Sequence, residues 1–195
     1  YLVDLSAFGD LSTRASFTPD LELADALQRR ARKQGLRVRL CTETHLDHGT
    51  AVPLLMLYAE GTKAPNILPI SYSGLSPDEH HRFALALQEI LAQSHKRVAV
   101  IASGDLSHAL SSDAPEGLRP EGKLFDATAV SALRRMDAQK LLAMDPAVVD
   151  AASECGYRPL LMLLGALDGI HVKPRVLSYE APFGVGYLTA EFILG

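Results

Sequence analysis

Cysteine is scarce in this 195-residue sequence: Cys41 and Cys155 are the only two, far apart and in neither a CxxC nor a zinc-finger spacing. That usage fits a reduced, cytoplasmic protein better than a disulfide-held one. Long apolar runs are lacking as well. None reaches the roughly 18 residues that suggest a membrane span, and no signal peptide is visible, so a soluble chain with no membrane partner is expected. Positive charge is not in excess, since the formal net charge is -4 and the pI near 6.0. No Lys/Arg cluster is interleaved with aromatics, which argues against nucleic acid as a partner. Internal repeats and low-complexity tracts are absent. An initiator methionine is missing too. The opening YLVDLSAFGD reads as the tail of an earlier element, so an amino-terminal piece is expected to precede it.

What is present is a chain 48% apolar, enough for one well-packed domain over residues 1–195. Thr18-Pro19-Asp20 opens a helix with Leu21, Leu23, Ala24 and Leu27 on one face, basic residues toward its end and Gly35 as its stop. Leu36 to Leu40 alternates as a short strand would, Ala51 to Tyr58 suits a buried helix starting near Pro53, and Asn66 to Ser71 reads as an edge strand. Ser76-Pro77-Asp78-Glu79 starts the next helix, striped by Phe83, Leu87, Ile90 and Leu91, and leads into a strand at Val98 to Ala102. Strand, helix, strand at this spacing is a βαβ unit, and the fold class expected is α/β with a right-handed crossover. Ser111 to Gly122 reads as a long loop, a candidate lid. Helices are expected from Lys123 to Leu142, Pro146 to Glu154 and Pro159 to Leu167. Strands Val172 to Tyr179 and Gly184 to Leu194, joined by a turn at Pro182 and Gly184, finish the chain.

Three segments carry groups capable of chemistry. RVAVIASGDLSH, Arg97 to His108, delivers Asp105 and His108 at a strand's carboxyl edge, where ligands bind in open α/β sheets. Gly104 allows a tight or positive-φ backbone there. A carboxylate three residues from an imidazole suits acid/base work, and equally suits a capped turn with a surface histidine. Thr44 to Gly49 offers His45 and His48 with Asp47, a set that fits a metal ligand with an orienting carboxylate or an ordinary polar loop. Ser153 to Gly156 offers Glu154 as a hard ligand and Cys155 as a soft one. Its structural alternative is a helix end with Gly156 left-handed and Cys155 buried. His80 and His81 are expected to face solvent, and His95 and His171 receive no role.

Together these segments resemble the superfamily of class III extradiol ring-cleavage dioxygenases (LigB-type) and the related Memo proteins. LDHGTAVPL, Leu46 to Leu54, resembles the dioxygenase metal-binding segment, and IASGDLSH the segment with the catalytic histidine. Cys155-Gly156-Tyr157-Arg158-Pro159 is similar to the Memo cysteine motif, and SYEAPFGVGYLTAEF, Ser178 to Phe192, to the group's ending. The overall pattern is nearest to bacterial extradiol dioxygenase B-like and AmmeMemoRadiSam system B proteins.

The resemblance implies a three-layer α/β/α fold around a central mixed sheet. It implies Fe(II), with copper as the alternative, and a small aromatic diol and O2 as partners; a homo-oligomer is compatible with it. It assigns His48 and either Cys155 or Glu154 as metal ligands, Asp47 to the metal's outer shell, and His108 with Asp105 to catalysis beside the metal. The alternative it carries is a Memo-like metal-binding redox or partner-binding protein that opens no ring. The family's first histidine, in an amino-terminal His-Pro segment, has no counterpart in this sequence.

Overall fold

The computed structural model describes residues 1–58 and 63–195, folded as two compact units, Tyr1–Ser71 and Tyr72–Gly195. In the first, strands β1 (Leu2–Asp4) and β2 (Arg14–Ser16) form an antiparallel hairpin, where the sequence suggested only the tail of an element. Leu2 also forms a parallel bridge with His45, donating its N–H to the Thr44 carbonyl at 2.7 Å and accepting from Leu46 N–H at 2.9 Å. The approach to His48 is thereby pinned to β1. Val3, Phe17, Leu46, Ala51 and Leu54 make this unit's core. Helix α1 (Leu21–Lys33) follows the expected punctuation, with Asp20 accepting from Leu23 N–H and Gly35 stopping the helix at φ 71°.

Helix α2 (His48–Leu57) begins before Pro53, not at it. The Asp47 carboxylate accepts the Thr50 N–H at 2.7 Å, so the N-cap sits a turn and a half earlier and Pro53 falls inside the helix. Burial of Ala51 and Leu54 in the unit's core supports the helix across Pro53.

The second unit holds α3 (Pro77–Ala92), opened by a full Ser76–Glu79 capping box, then α4 (Pro120–Arg135), α5 (Ala138–Leu142), α6 (Pro146–Ala152) and α7 (Tyr157–Ala166). Strands β3 (Val172–Glu180) and β4 (Tyr187–Leu194) pair antiparallel beyond them. Its core gathers Phe125, Leu133, Leu141, Tyr157 and Leu161. The single helix expected from Lys123 to Leu142 is two, because Met136 adopts a left-handed backbone at φ 55° and Asp137 caps a new start. Pro120 opens α4, so the long loop ends at Arg119.

The fold is mixed α/β, but the strands expected at Leu36–Leu40, Asn66–Ser71 and Val98–Ala102 carry no ladder among the described residues. Only Ile67 forms a bridge, to Pro19. Ladders there are confined to β1–β2 and β3–β4, so the βαβ crossover is not formed as expected. Alternation supplies a strand's faces but not its partner, and Val98, Val100 and Ile101 remain largely exposed. No helix among the described residues is long and apolar enough to cross a membrane.

Candidate metal and acid–base site

Residues 105–110 have neither helical nor ladder structure, yet each of their six backbone N–H groups finds an acceptor. Asp105 N–H donates to Cys155 Sγ at 3.1 Å, Leu106 to Gly186 O at 2.8 Å, and Ser107 to Asp126 Oδ1 at 2.8 Å. His108 donates to Ala152 O at 2.9 Å, Ala109 to Ser107 Oγ at 3.0 Å and Leu110 to Gly184 O at 3.0 Å. The acceptors lie in α4, at the end of α6, in the turn before α7 and around the start of β4, so the loop is held from several sides. A buried amide left unpaired would cost about 1–3 kcal/mol. Loop conformation is therefore fixed by the fold around it.

Glycine permits the closest of these approaches. A Cβ on Gly104 would lie 2.7 Å from the Cys155 carbonyl oxygen, and one on Gly156 2.7 Å from the Asp105 carbonyl oxygen. Gly104 thus serves backbone contact and not a positive φ. The left-handed residue ending α6 is Ser153, at φ 51°, while Gly156 takes a helical conformation as the N-cap of α7. That corrects the expectation of a left-handed Gly156.

The contact brings Asp105, His108 and Cys155 together, with a carboxylate oxygen, an imidazole nitrogen and Sγ all within 4.8 Å of one another. Metal–ligand bonds span about 2.0–2.3 Å, so three atoms this close fit a single ion after small side-chain rotations. His108 Nε2 lies 3.6 Å from Asp105 Oδ2, beyond hydrogen-bond range, and is buried with no hydrogen-bond partner among the described residues. Burial pushes the Cys155 thiol pKa up, opposed by the Asp105 N–H and reinforced by the Asp105 and Glu154 carboxylates. Sγ is accordingly a thiol until a cation draws off its proton.

Glu154 is engaged elsewhere. Its carboxylate accepts the Tyr157 N–H at the start of α7, while burial raises its pKa against that bond and the Arg158 charge. It lines a cleft of about 690 Å³ with Met144, Val149, Tyr157, Arg158 and His81, a volume in the range of small-molecule sites. Arg158 Nε and His81 Nε2 are buried without a hydrogen-bond partner among the described residues, and the Arg158 guanidinium lies 5.9 Å from the Tyr72 ring centroid.

His48 opens α2 in the first unit, its ring 4.9 Å from that of Phe8, and Asp47 caps the same helix. His80 is buried, contrary to the sequence expectation. Its Nε2 accepts Ser73 N–H at 3.0 Å, leaving Nδ1–H to donate to the Ser76 carbonyl at 2.8 Å.

Sequence reasoning missed Asp126 and Tyr179. The available signal was Asp126's place in the apolar stripe of α4, between Gly122 and Ala129, where a carboxylate is out of character.

Residues 6–190 match the family described as the catalytic LigB subunit of aromatic ring-opening dioxygenase, and the chain belongs to that family. A Clostridium acetobutylicum protein named only by its locus is 38% identical over 146 residues, 75% of this chain and 31% of that protein. The Mycolicibacterium smegmatis 2,3-dihydroxyphenylpropionate/2,3-dihydroxicinnamic acid 1,2-dioxygenase is 32% identical over 106 residues, 51% of this chain and 34% of the enzyme. A Pseudomonas 2-aminophenol 1,6-dioxygenase alpha subunit is 27% identical over 183 residues, covering 89% and 67% respectively. The chain thus spans about a third of the length of the first two relatives. A LigB-like class III extradiol dioxygenase superfamily assignment follows.

Proposed function

We propose that this chain opens catecholic aromatic rings with O2 as a non-haem Fe(II) extradiol dioxygenase. The observation that carries the reading is His108, whose Nε2 is buried without a hydrogen-bond partner on a loop with every amide bonded, beside the Asp105 carboxylate. Bound Fe(II) supplies Lewis acidity toward a substrate hydroxyl and the redox capacity to use O2. Cys155 would hold it, with Glu154 the carboxylate alternative; His48 is the further ligand that the resemblance implies. Glu154 would serve through the carboxylate oxygen that does not accept the Tyr157 N–H. His108 accepts the second hydroxyl's proton at Nε2 and later returns it, and the Asp105 carboxylate stabilises the imidazolium between those steps. Asp47, by this reading, orients His48 from the cap of α2.

Anaerobic Fe(II) loading of the full-length protein, followed by O2 and a catechol panel, is expected to yield a coloured muconic semialdehyde. His108→Gln should lower kcat by about 10²-fold or more, the usual worth of a positioned acid/base. No product from the iron-loaded protein would sink the reading.

One observation favours a second reading, a Memo-like site that binds iron or copper without opening rings. The cluster of Asp105, His108 and Cys155 includes a thiol, and thiolate shifts preference toward softer ions such as Cu(I). Elemental analysis then finds copper at one per chain, lost in Cys155→Ser, with no ring cleavage. Retention of that metal in Cys155→Ser removes this reading.

A further inference from the structure

Asp126 sits in the interior of α4 and is 2% exposed. A carboxylate so buried is costly unless its oxygens are hydrogen-bonded. Both are: Oδ1 accepts the Ser107 N–H at 2.8 Å, and Oδ2 accepts the Tyr179 hydroxyl at 2.6 Å. Neither bond serves α4 itself. One reaches the loop of Asp105 and His108, and the other reaches β3.

Three local features allow this reach. A Cβ on Gly122, one turn earlier in α4, would lie 2.4 Å from Ser107 Oγ, so only glycine lets the helix approach the loop. A Cβ on Gly186 would lie 2.2 Å from Asp126 Oδ2, so the start of β4 is held clear of the carboxylate in the same way. The third is the β-bulge between Val176 and Ser178. Before it, Val172, Pro174 and Val176 form the half-buried face of β3 and alternate with exposed residues. One extra residue, Leu177, exchanges the faces, so that odd-numbered Tyr179 falls on the side of Val176. The partners agree, since Val176 pairs with Ala190 and Tyr179 with Leu188, both on one face of β4. Without the bulge the phenol would point away from Asp126.

Ser107 carries the effect onward. Its side chain is fully buried, Oγ donates to Ala152 O at 3.0 Å and accepts the Ala109 N–H, and Ala152 O also accepts the His108 N–H. We propose that Asp126, backed by Tyr179, is a positioning residue for the site: it fixes the Ser107 amide and thereby aims the His108 imidazole toward Asp105 and Cys155. The inference rests on reading His108 as the proton-handling group. A purely structural role would instead make Asp126 a buried brace whose loss lowers stability and leaves the imidazole where it was.

Ring-nitrogen NMR of the histidine-labelled full-length protein separates the two, with the His108 signals identified by their absence in His108→Gln. Wild type should give one set of signals. In folded Asp126→Ala they should split or broaden, and in Asp126→Asn return to one set, because the Asn oxygen still accepts the Ser107 N–H. Tyr179→Phe, which keeps that bond, should shift the His108 signals by less. In the iron-loaded enzyme Asp126→Ala should lose at least tenfold in kcat with KM within twofold, and Asp126→Asn should recover most of it. Unchanged His108 signals in Asp126→Ala, or equal disturbance in Asp126→Asn, overturn the proposal. If Asp126→Ala does not fold, unchanged signals in Tyr179→Phe overturn it. A wild-type protein that opens no ring defeats the functional reading alone, and the NMR comparison still decides the positioning role.

Discussion

Tyr179 is a phenol kept neutral by its surroundings. Partial burial of a residue still 41% exposed is the first cause, and the Asp126 carboxylate, as hydrogen-bond acceptor and as negative charge, adds to it, so the group holds its proton above the usual phenol range. Above about pH 10 the unfolded chain releases this proton while the folded one keeps it, so Tyr179 favours the fold fully below that pH and progressively less above it. Urea denaturation across pH 8–11 should show an alkaline loss of stability, shallower in Tyr179→Phe. A second residue works against the fold. Phe183, in the short 3₁₀ turn Pro182–Gly184, has φ 58° and is 85% exposed, a left-handed backbone that side chains other than Gly, Asn and Asp adopt at about 1 kcal/mol or more. Phe183→Asn should therefore stabilise the protein by about 1 kcal/mol, read as a higher urea midpoint at unchanged slope.

Among the elements, α2 owes its start to one side chain. Pro53 removes an internal hydrogen bond, and Asp47 supplies the cap. Asp47→Ala should lower stability by about 1 kcal/mol and Asp47→Asn by a few tenths, because Asn caps as well as Asp. Equal losses in both would assign the effect to charge. Caps and stops of this kind were legible in the sequence because they are local: Asp20 and Gly35 bound α1, and Ser76 with Glu79 opens α3. Strand pairing was not, because whether Val98–Ala102 finds a partner is a matter of distant chain, and among the described residues it finds none. The break at Met136 turns on a backbone angle that no side chain there announces, although Asp137 was a readable cap. The site divides along the same line. Asp105, His108 and Cys155 stood out by type and spacing, whereas their meeting depends on Gly104 and Gly156 passing within backbone contact. Asp126 was overlooked because a helix acid normally reads as solvated.

On the scale of the molecule, the second unit concentrates its order around the His108 loop. Amide exchange should report this: the N–H groups of residues 106–110 are expected to exchange as slowly as the core of α4, despite lying outside any helix or strand. Fast exchange there, at the rate of the exposed Val98–Ile101 run, would mean that the loop opens independently.

The same wiring has a kinetic consequence. The acceptors of the six amides run from Ser107 within the loop out to Gly186, so most of these bonds cannot form while the chain holds only its local contacts. Their loop-closure entropy is met only when α4, α6, α7 and β4 have already assembled. The residues that would do the chemistry are therefore among the last to acquire their geometry, and a refolding chain should regain helical ellipticity well before it regains a single His108 environment.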